Sequence, residues 1–192
     1  MKQDLSSITN TLYFVYKLIK RYISAEHYVK VWIQKRQYAN SNVEKIIAIS
    51  KMVKDDIMNY YRVPEEKISI VTNCVDLERF HPKNRGRYRT LKRKELGIDE
   101  KTLVLLFAGN NYRLKGLRQL LRALASLRVS FPNQSIRLLV AGRGQVRRYA
   151  RVASKLGVRG CTTFLGAVQG MEQYYAASDI YVHPTFYDPC SL

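Results

Sequence analysis

Beyond residue 100 the chain alternates two hydrophobic rhythms. LVLLFAG (103–109), RLLVAG (137–142), CTTFLG (161–166) and IYVH (180–183) are short β-type runs. Between them, apolar residues recur at helical spacing over about 116–129, over about 146–156 and in MEQYYAAS (171–178). Four strands alternating with three helices predict a parallel, doubly wound sheet with right-handed crossovers.

Upstream, Leu12, Val15, Ile19, Tyr22 and Ile23 fall at helical spacing, predicting a helix from Ile8 to about Tyr38. KIIAIS (45–50) reads as a strand and KMVKDDIMNYY (51–61) as a helix, with Ser50 at the N-cap position. VPEEK turns the chain into a second strand, KISIVTN (67–73), completing a β-α-β unit. KNRGRYRTLKRKELGIDEK is polar and basic with little strand character, and reads as a linker with a short helix. The expected division is therefore 1–83, a partial N-terminal domain; 84–100, a linker; and 101–192, a C-terminal domain. The fold class is α/β, built on a Rossmann-like parallel sheet.

Charge adds a constraint that the hydrophobic pattern lacks. Lys and Arg total 33 against 15 Asp and Glu, a formal net charge of +18, so an anionic partner is expected. The excess is uneven, because residues 101–171 contain no acidic side chain. Nucleic acid, anionic lipid and a phosphorylated small molecule all fit such a field. Cys74, Cys161 and Cys190 have no CxxC spacing, which argues against a zinc site or a disulfide framework and fits a reduced, cytoplasmic setting. No stretch approaches 18 uncharged apolar residues, and the first residues lack the apolar core of a signal peptide.

Three stretches could carry chemistry. In FAGNNYRLKGL (107–117) a strand ends at Gly109, and Arg113 and Lys115 stand just before a helix whose N-terminus favours an anion. This is a phosphate seat or an ordinary βα loop with solvated cations. It is not a P-loop, because the order is Lys115 then Gly116. In VAGRGQVRR (140–148), Gly142 and Gly144 suggest a dinucleotide fingerprint, but Arg147 holds its third position and no acid follows about 20 residues on, so the glycines read as a tight turn. Arg143, Arg147 and Arg148 face either a phosphate or solvent. In HPTFYDPCSL (183–192), Asp188 at the carboxyl edge of the sheet is a turn residue or a ligand for sugar hydroxyls.

Taken in order, AISKMVKDDIMNYYRVPEEKISIVTNCVDLERFHP, LLFAGNNYRLKGLRQLLRALASL, LLVAGRG, KLGVRGCTTFLGAV and YYAASDIYVHPTFYDPCSL resemble the nucleotide-sugar glycosyltransferases of the GT-B fold, family 4 (group 1). Within that family the likeness is to lipopolysaccharide core glucosyltransferases. The resemblance implies that Lys115 contacts the donor diphosphate, that Gly109 lets backbone approach it, and that Val168 lies near the nucleotide base. Asp188 falls on the first acid of the family's acid-x7-acid motif, which contacts the transferred sugar; Asn110 and Arg113 complete the donor-binding set. The second acid has no counterpart before Leu192. An internal slice of a larger transferase is therefore expected, with weak or no turnover of its own. Cys74 stands where the family has a glycine, and Leu114 where an arginine is common.

The implied reaction is transfer of a sugar from a UDP-sugar to an acceptor hydroxyl with retention, without a metal or other cofactor. The implied partners are a nucleotide-sugar donor, a lipid-linked or glycan acceptor and, peripherally, the anionic inner face of the cell membrane. The rivals from other classes are a membrane-surface or scaffold role through the basic aromatic helix before Tyr38 and a basic nucleic-acid-binding protein. No RNP, zinc-finger or recognition-helix signature supports it, so no nucleic acid partner is expected.

Overall fold

The computed structural model describes residues 25–40 and 42–190. The part of the predicted N-terminal helix from Ile8 to residue 24 lies outside them. The chain divides into two compact units at Asn73/Cys74.

In the first unit, helix α1 (Ala25–Tyr38) precedes strand β1 (Ile46–Ala48), helix α2 (Lys51–Tyr61) and strand β2 (Ile68–Ile70). β1 and β2 pair in parallel, Ile46 with Ile68, so the β-α-β reading holds. Ser50 caps α2: its backbone is extended and its Oγ accepts from the Val53 N–H at 3.3 Å. Ala48, Ile57, Val63 and Ile68 form a small core under the strands.

The second unit contains helix α3 (Asn84–Glu95), strand β3 (Leu103–Ala108), helix α4 (Leu117–Ser130), strand β4 (Ile136–Ala141), helix α5 (Val146–Lys155), strand β5 (Thr162–Gly166), helix α6 (Met171–Ala177) and strand β6 (Ile180–Tyr181). The four strands are parallel in the order β5-β4-β3-β6. Successive β3 residues face opposite sides of the sheet, as a strand requires. Leu105 and Phe107 pack with Leu117, Leu121 and Leu124 of α4 and with Tyr149 and Ala153 of α5. Val104 and Leu106 pack on the other side with Ile98 and Tyr174.

The segment expected to be a linker is a 12-residue helix inside this unit. Its sequence, NRGRYRTLKRKE, has almost no apolar face, so hydrophobic periodicity gives no reason for it to pack. The face that packs is made of arginines. Arg85, Arg89 and Arg93, spaced four apart, lie along one side of the helix and meet the end of α6. Arg93 is fully buried; its guanidinium donates to the carbonyls of Ala177, Asp99, Glu100 and Thr102 and to Asp179 Oδ2 at 2.7 Å. Arg89 reaches Asp179 Oδ1 at 2.8 Å, and Arg85 donates to the Ser178 carbonyl at 3.2 Å. These contacts satisfy carbonyls that a helix C-terminus leaves unpaired and place cations at its negative end.

Asp179 also accepts from the Val104 N–H of β3 at 2.8 Å, so one carboxylate ties α3, α6, β3 and the start of β6 together. Burial opposes its charge. The Val104 N–H and the Arg89 and Arg93 guanidiniums outweigh that penalty and hold its pKa below the ordinary aspartate value. Replacing Arg93 with Met leaves a partly buried carboxylate and several carbonyls without their donor. Urea denaturation should show a loss of about 3–5 kcal/mol. Because the folded pKa is depressed, this stabilisation is complete above the unfolded value and disappears as pH falls through the folded one. Asp179→Asn should flatten that acid limb of the stability profile, and an unchanged limb would contradict the assignment.

Candidate active site

Consecutive strands β3, β4 and β5 extend the sheet to one side, and β6 returns to the other side of β3. This reversal makes the carboxyl ends of β3 and β6 the switch point of the topology, where a parallel sheet leaves a crevice for ligand. The loop after β3 carries residues 109–116, and the segment after β6 carries 182–190.

The two segments are in contact at several points. Lys115 Nζ lies 2.7 Å from Asp188 Oδ2, and His183 Nε2 is 2.8 Å from the same oxygen. Tyr181 Oη lies 2.8 Å from His183 Nδ1. Burial, followed by the nearby Tyr175 and Asp188, raises the Tyr181 pKa well above the ordinary range, so its hydroxyl keeps its proton. His183 thus stands between the Tyr181 hydroxyl and the Asp188 carboxylate, bonded to each through a different ring nitrogen. The backbone is tied as well: the Phe186 N–H donates to the Leu114 carbonyl at 2.9 Å, and Thr185 Oγ1 donates to the same carbonyl. Leu114, where the family often has arginine, thus contributes through its backbone.

Two glycines make the close approach feasible. Gly116 precedes α4 with φ +75, and a Cβ there would sit 1.9 Å from the Pro184 carbonyl oxygen. Gly142, φ +123, would place a Cβ 2.1 Å from the Gly109 carbonyl oxygen, so any side chain would force the ends of β3 and β4 apart. The Gly-x-Gly stretch therefore serves packing at a tight strand-to-helix turn, as its departure from the dinucleotide pattern suggested.

The residues expected to bind a donor are not all placed alike. Lys115 and Asp188 are brought together; Gly109 lies beside them, where a Cβ would touch Lys115 Cγ at 3.1 Å. Asn110 bridges to the next loop, its Oδ1 accepting from the Arg143 N–H at 2.9 Å. Arg113 is exposed in the same loop. Val168 packs on the apolar cluster of the α6 side with Leu106 and Leu139, so part of its surface serves the core. Cys74 needs no glycine-like backbone: among the described residues Arg62 is the non-glycine residue with positive φ. His183 and Tyr181 are not among the site residues expected from the sequence. The available signal was the position of His183 five residues before Asp188 at the end of a β-type run.

Among the described residues no three His, Cys, Asp or Glu side chains stand together as metal ligands. A cavity of about 750 Å³ lies elsewhere in the second unit, between residues 74–85 and α6, lined by Val75, Phe80, Met171 and Tyr175 among others. It lacks the Lys115–Asp188–His183 constellation, and the chemistry converges at the strand ends instead.

Comparison with known proteins places the chain in a family. The model for "Glycosyl transferases group 1" matches residues 102–192, and that for "Glycosyltransferase Family 4" matches residues 9–79. The chain belongs to the group 1, family 4 glycosyltransferases. It is 25% identical over 179 residues to the lipopolysaccharide glucosyltransferase WaaG of Escherichia coli, covering 93% of this chain and 46% of WaaG. It is 27% identical over 151 residues to an uncharacterized glycosyltransferase of Methanocaldococcus jannaschii, covering 77% of this chain and 38% of that protein. The WaaG crystal structure superposes with a TM-score of 0.80 at 23% identity, covering 89% of this chain and 46% of WaaG. Anabaena HepE, solved in complex with UDP-glucose, gives 0.68 at 21% identity, covering 84% of this chain and 44% of HepE. The chain thus spans less than half the length of each of these proteins. The α/β fold with Rossmann-like parallel sheets is that of one half of the GT-B glycosyltransferase structures.

In this family member, alanine at either of two left-handed glycines should separate ordinary backbone strain from loss of the crevice wall. Gly97, φ +62, has open space around a Cβ, so Gly97→Ala should cost about 1–2 kcal/mol. Gly116→Ala must also displace the Pro184 backbone and should cost more in the same urea titration. Equal costs would show that the Gly116–Pro184 approach does not matter.

Proposed function

We propose that the chain binds the diphosphate of a UDP-sugar at the carboxyl ends of β3 and β6 and serves retaining transfer of the sugar to an acceptor hydroxyl. The acceptor is a lipopolysaccharide core or related cell-surface glycan. The observation that carries this reading is the meeting of Lys115 and Asp188 from two separate loops at the switch point. It is supported by family membership, by WaaG's description as a lipopolysaccharide glucosyltransferase and by the capture of HepE with UDP-glucose.

The chemistry follows from the groups present. Departure of a nucleoside diphosphate from the sugar leaves negative charge on phosphate oxygens. A preorganised ammonium at that position lowers the barrier. Lys115 supplies it, with Gly109 leaving room for the diphosphate beside the backbone. In the absence of donor Lys115 is paired with Asp188, so the diphosphate competes with that carboxylate for the lysine. His183 then keeps Asp188 in place, turned toward the hydroxyls of the sugar. Asn110 holds the 109–116 loop against the following one, and Arg113 adds a cation at its rim. Val168 supports the wall near the base.

Isothermal titration of the purified chain with UDP-glucose tests this directly. Binding should weaken at least tenfold in Lys115→Ala, since a charge-assisted contact is lost. Asp188→Asn should spare UDP binding and weaken UDP-glucose binding. Unchanged affinity for both ligands in Lys115→Ala would contradict the proposal.

A further inference from the structure

The four-stranded sheet ends in β5 on one side and β6 on the other, and its two edges are finished differently. An edge strand presents unpaired N–H and C=O groups, a template for another chain, and stable folds blunt it with polar or charged side chains and bulges. β5 is blunted in this way. It opens on Thr162 and Thr163, its ladder with β4 shifts register between Val140 and Ala141, and Arg159 donates to the Thr162 carbonyl at 2.9 Å with its guanidinium over the Phe164 ring. β6 carries no charge and pairs with β3 without a register shift. Its two residues, Ile180 and Tyr181, point to opposite faces, as in any strand. Apolar side chains on both faces are the composition of an interior strand of a parallel sheet, yet β6 stands at the edge. Ile180 is 49% and Tyr181 40% exposed. The two-stranded sheet of the first unit also exposes apolar residues, Ile47 and Ile70, and is the competing site for an added strand.

We propose that the open edge of β6 accepts an extended segment of an acidic polypeptide, which adds a further strand to the sheet. The edge offers main-chain donors and acceptors at strand spacing, and another main chain is the partner that matches them along its length. Apolar side chains alternating along the added strand cover Ile180 on one face and Tyr181 on the other. Charge selects the partner. Arg85 is exposed at the start of β6, where it donates to the Ser178 carbonyl, and Arg113 is exposed in the loop whose Leu114 carbonyl accepts from the Phe186 N–H beyond the end of β6. The chain as a whole carries a formal charge of +18, so an acidic segment is attracted and a second copy of this chain is repelled. An added strand also secures β6 from its second side, where the two residues paired to β3 supply little hold of their own. None of this depends on the donor reading.

Titration of the labelled full chain with the peptide Glu-Glu-Val-Ile-Val-Thr-Glu-Glu, followed by NMR, tests it. Saturable shifts are expected at the amides of residues 179–183, with hydrogen exchange at Ile180 and Tyr181 slowed. Lysine in place of every glutamate should weaken binding at least about tenfold. N-methylation of the central Val-Ile-Val-Thr amides should abolish it, because an added strand binds through its main chain. Both comparisons leave the protein unaltered, so neither depends on a variant folding. Ile180→Ser should weaken binding several-fold, whereas Val129→Ser, which removes an exposed apolar residue of α4, should leave it unchanged; thermal melts establish that both variants are folded. Absence of binding, equal binding of the N-methylated peptide, or shifts confined to residues 46–48 and 68–70 would overturn the proposal. So would a dimer of the unliganded chain in sedimentation velocity that Ile180→Ser dissociates, since a second copy would then occupy the edge.

Discussion

Asp179 is the residue on which the second unit's arrangement turns. Three arginines of α3 converge on it and on the carbonyls at the end of α6, and the same carboxylate accepts the Val104 N–H of β3. Strand β6 is short, with two residues paired to β3. A ladder that short gives little register of its own. The clamp at Asp179 fixes where β6 starts, and therefore where His183 and Asp188 emerge beside Lys115.

The candidate site follows from that constraint. Chain reversal at β3 supplies a crevice, the Asp179 clamp sets the height of the β6 end, and Gly116 lets the Pro184 backbone come close to the start of α4. Within the crevice one carboxylate oxygen receives both the Lys115 ammonium and the His183 imidazole. On the proposed reading the Lys115 ammonium is oriented before a ligand arrives, which reduces the reorganisation needed when charge develops on a departing diphosphate. On that reading the donor diphosphate takes Lys115 from Asp188 while His183 retains the carboxylate, so it is the lysine that changes partner.

Much of this was legible in the sequence, for identifiable reasons. Strand β3 and most of β4 are apolar runs because both faces of a parallel sheet are covered, and β3, β4 and β5 each end at or beside a glycine. Lys115 and Asp188 were legible through motif resemblance. Helix α3 was not read as part of the second unit, because its buried face is Arg85, Arg89 and Arg93 where a hydrophobic stripe would normally stand. An i, i+4, i+8 arginine series with a lone Asp179 downstream was the only signal, and no periodicity of apolar residues reports it. The link from Tyr181 through His183 to Asp188 was hidden for another reason. It depends on a loop folding back over five residues, which local composition does not encode.

The central claim is that the ends of β3 and β6 form one anion-gripping site. The most direct measurement is NMR of isotopically labelled protein titrated with UDP-glucose, following backbone amides and the lysine side-chain ammonium. The account predicts that the largest saturable shifts map to residues 109–116 and 183–188 together, with the Lys115 ammonium among them. Saturable shifts confined to another part of the chain, or to one of these two segments without the other, would contradict it.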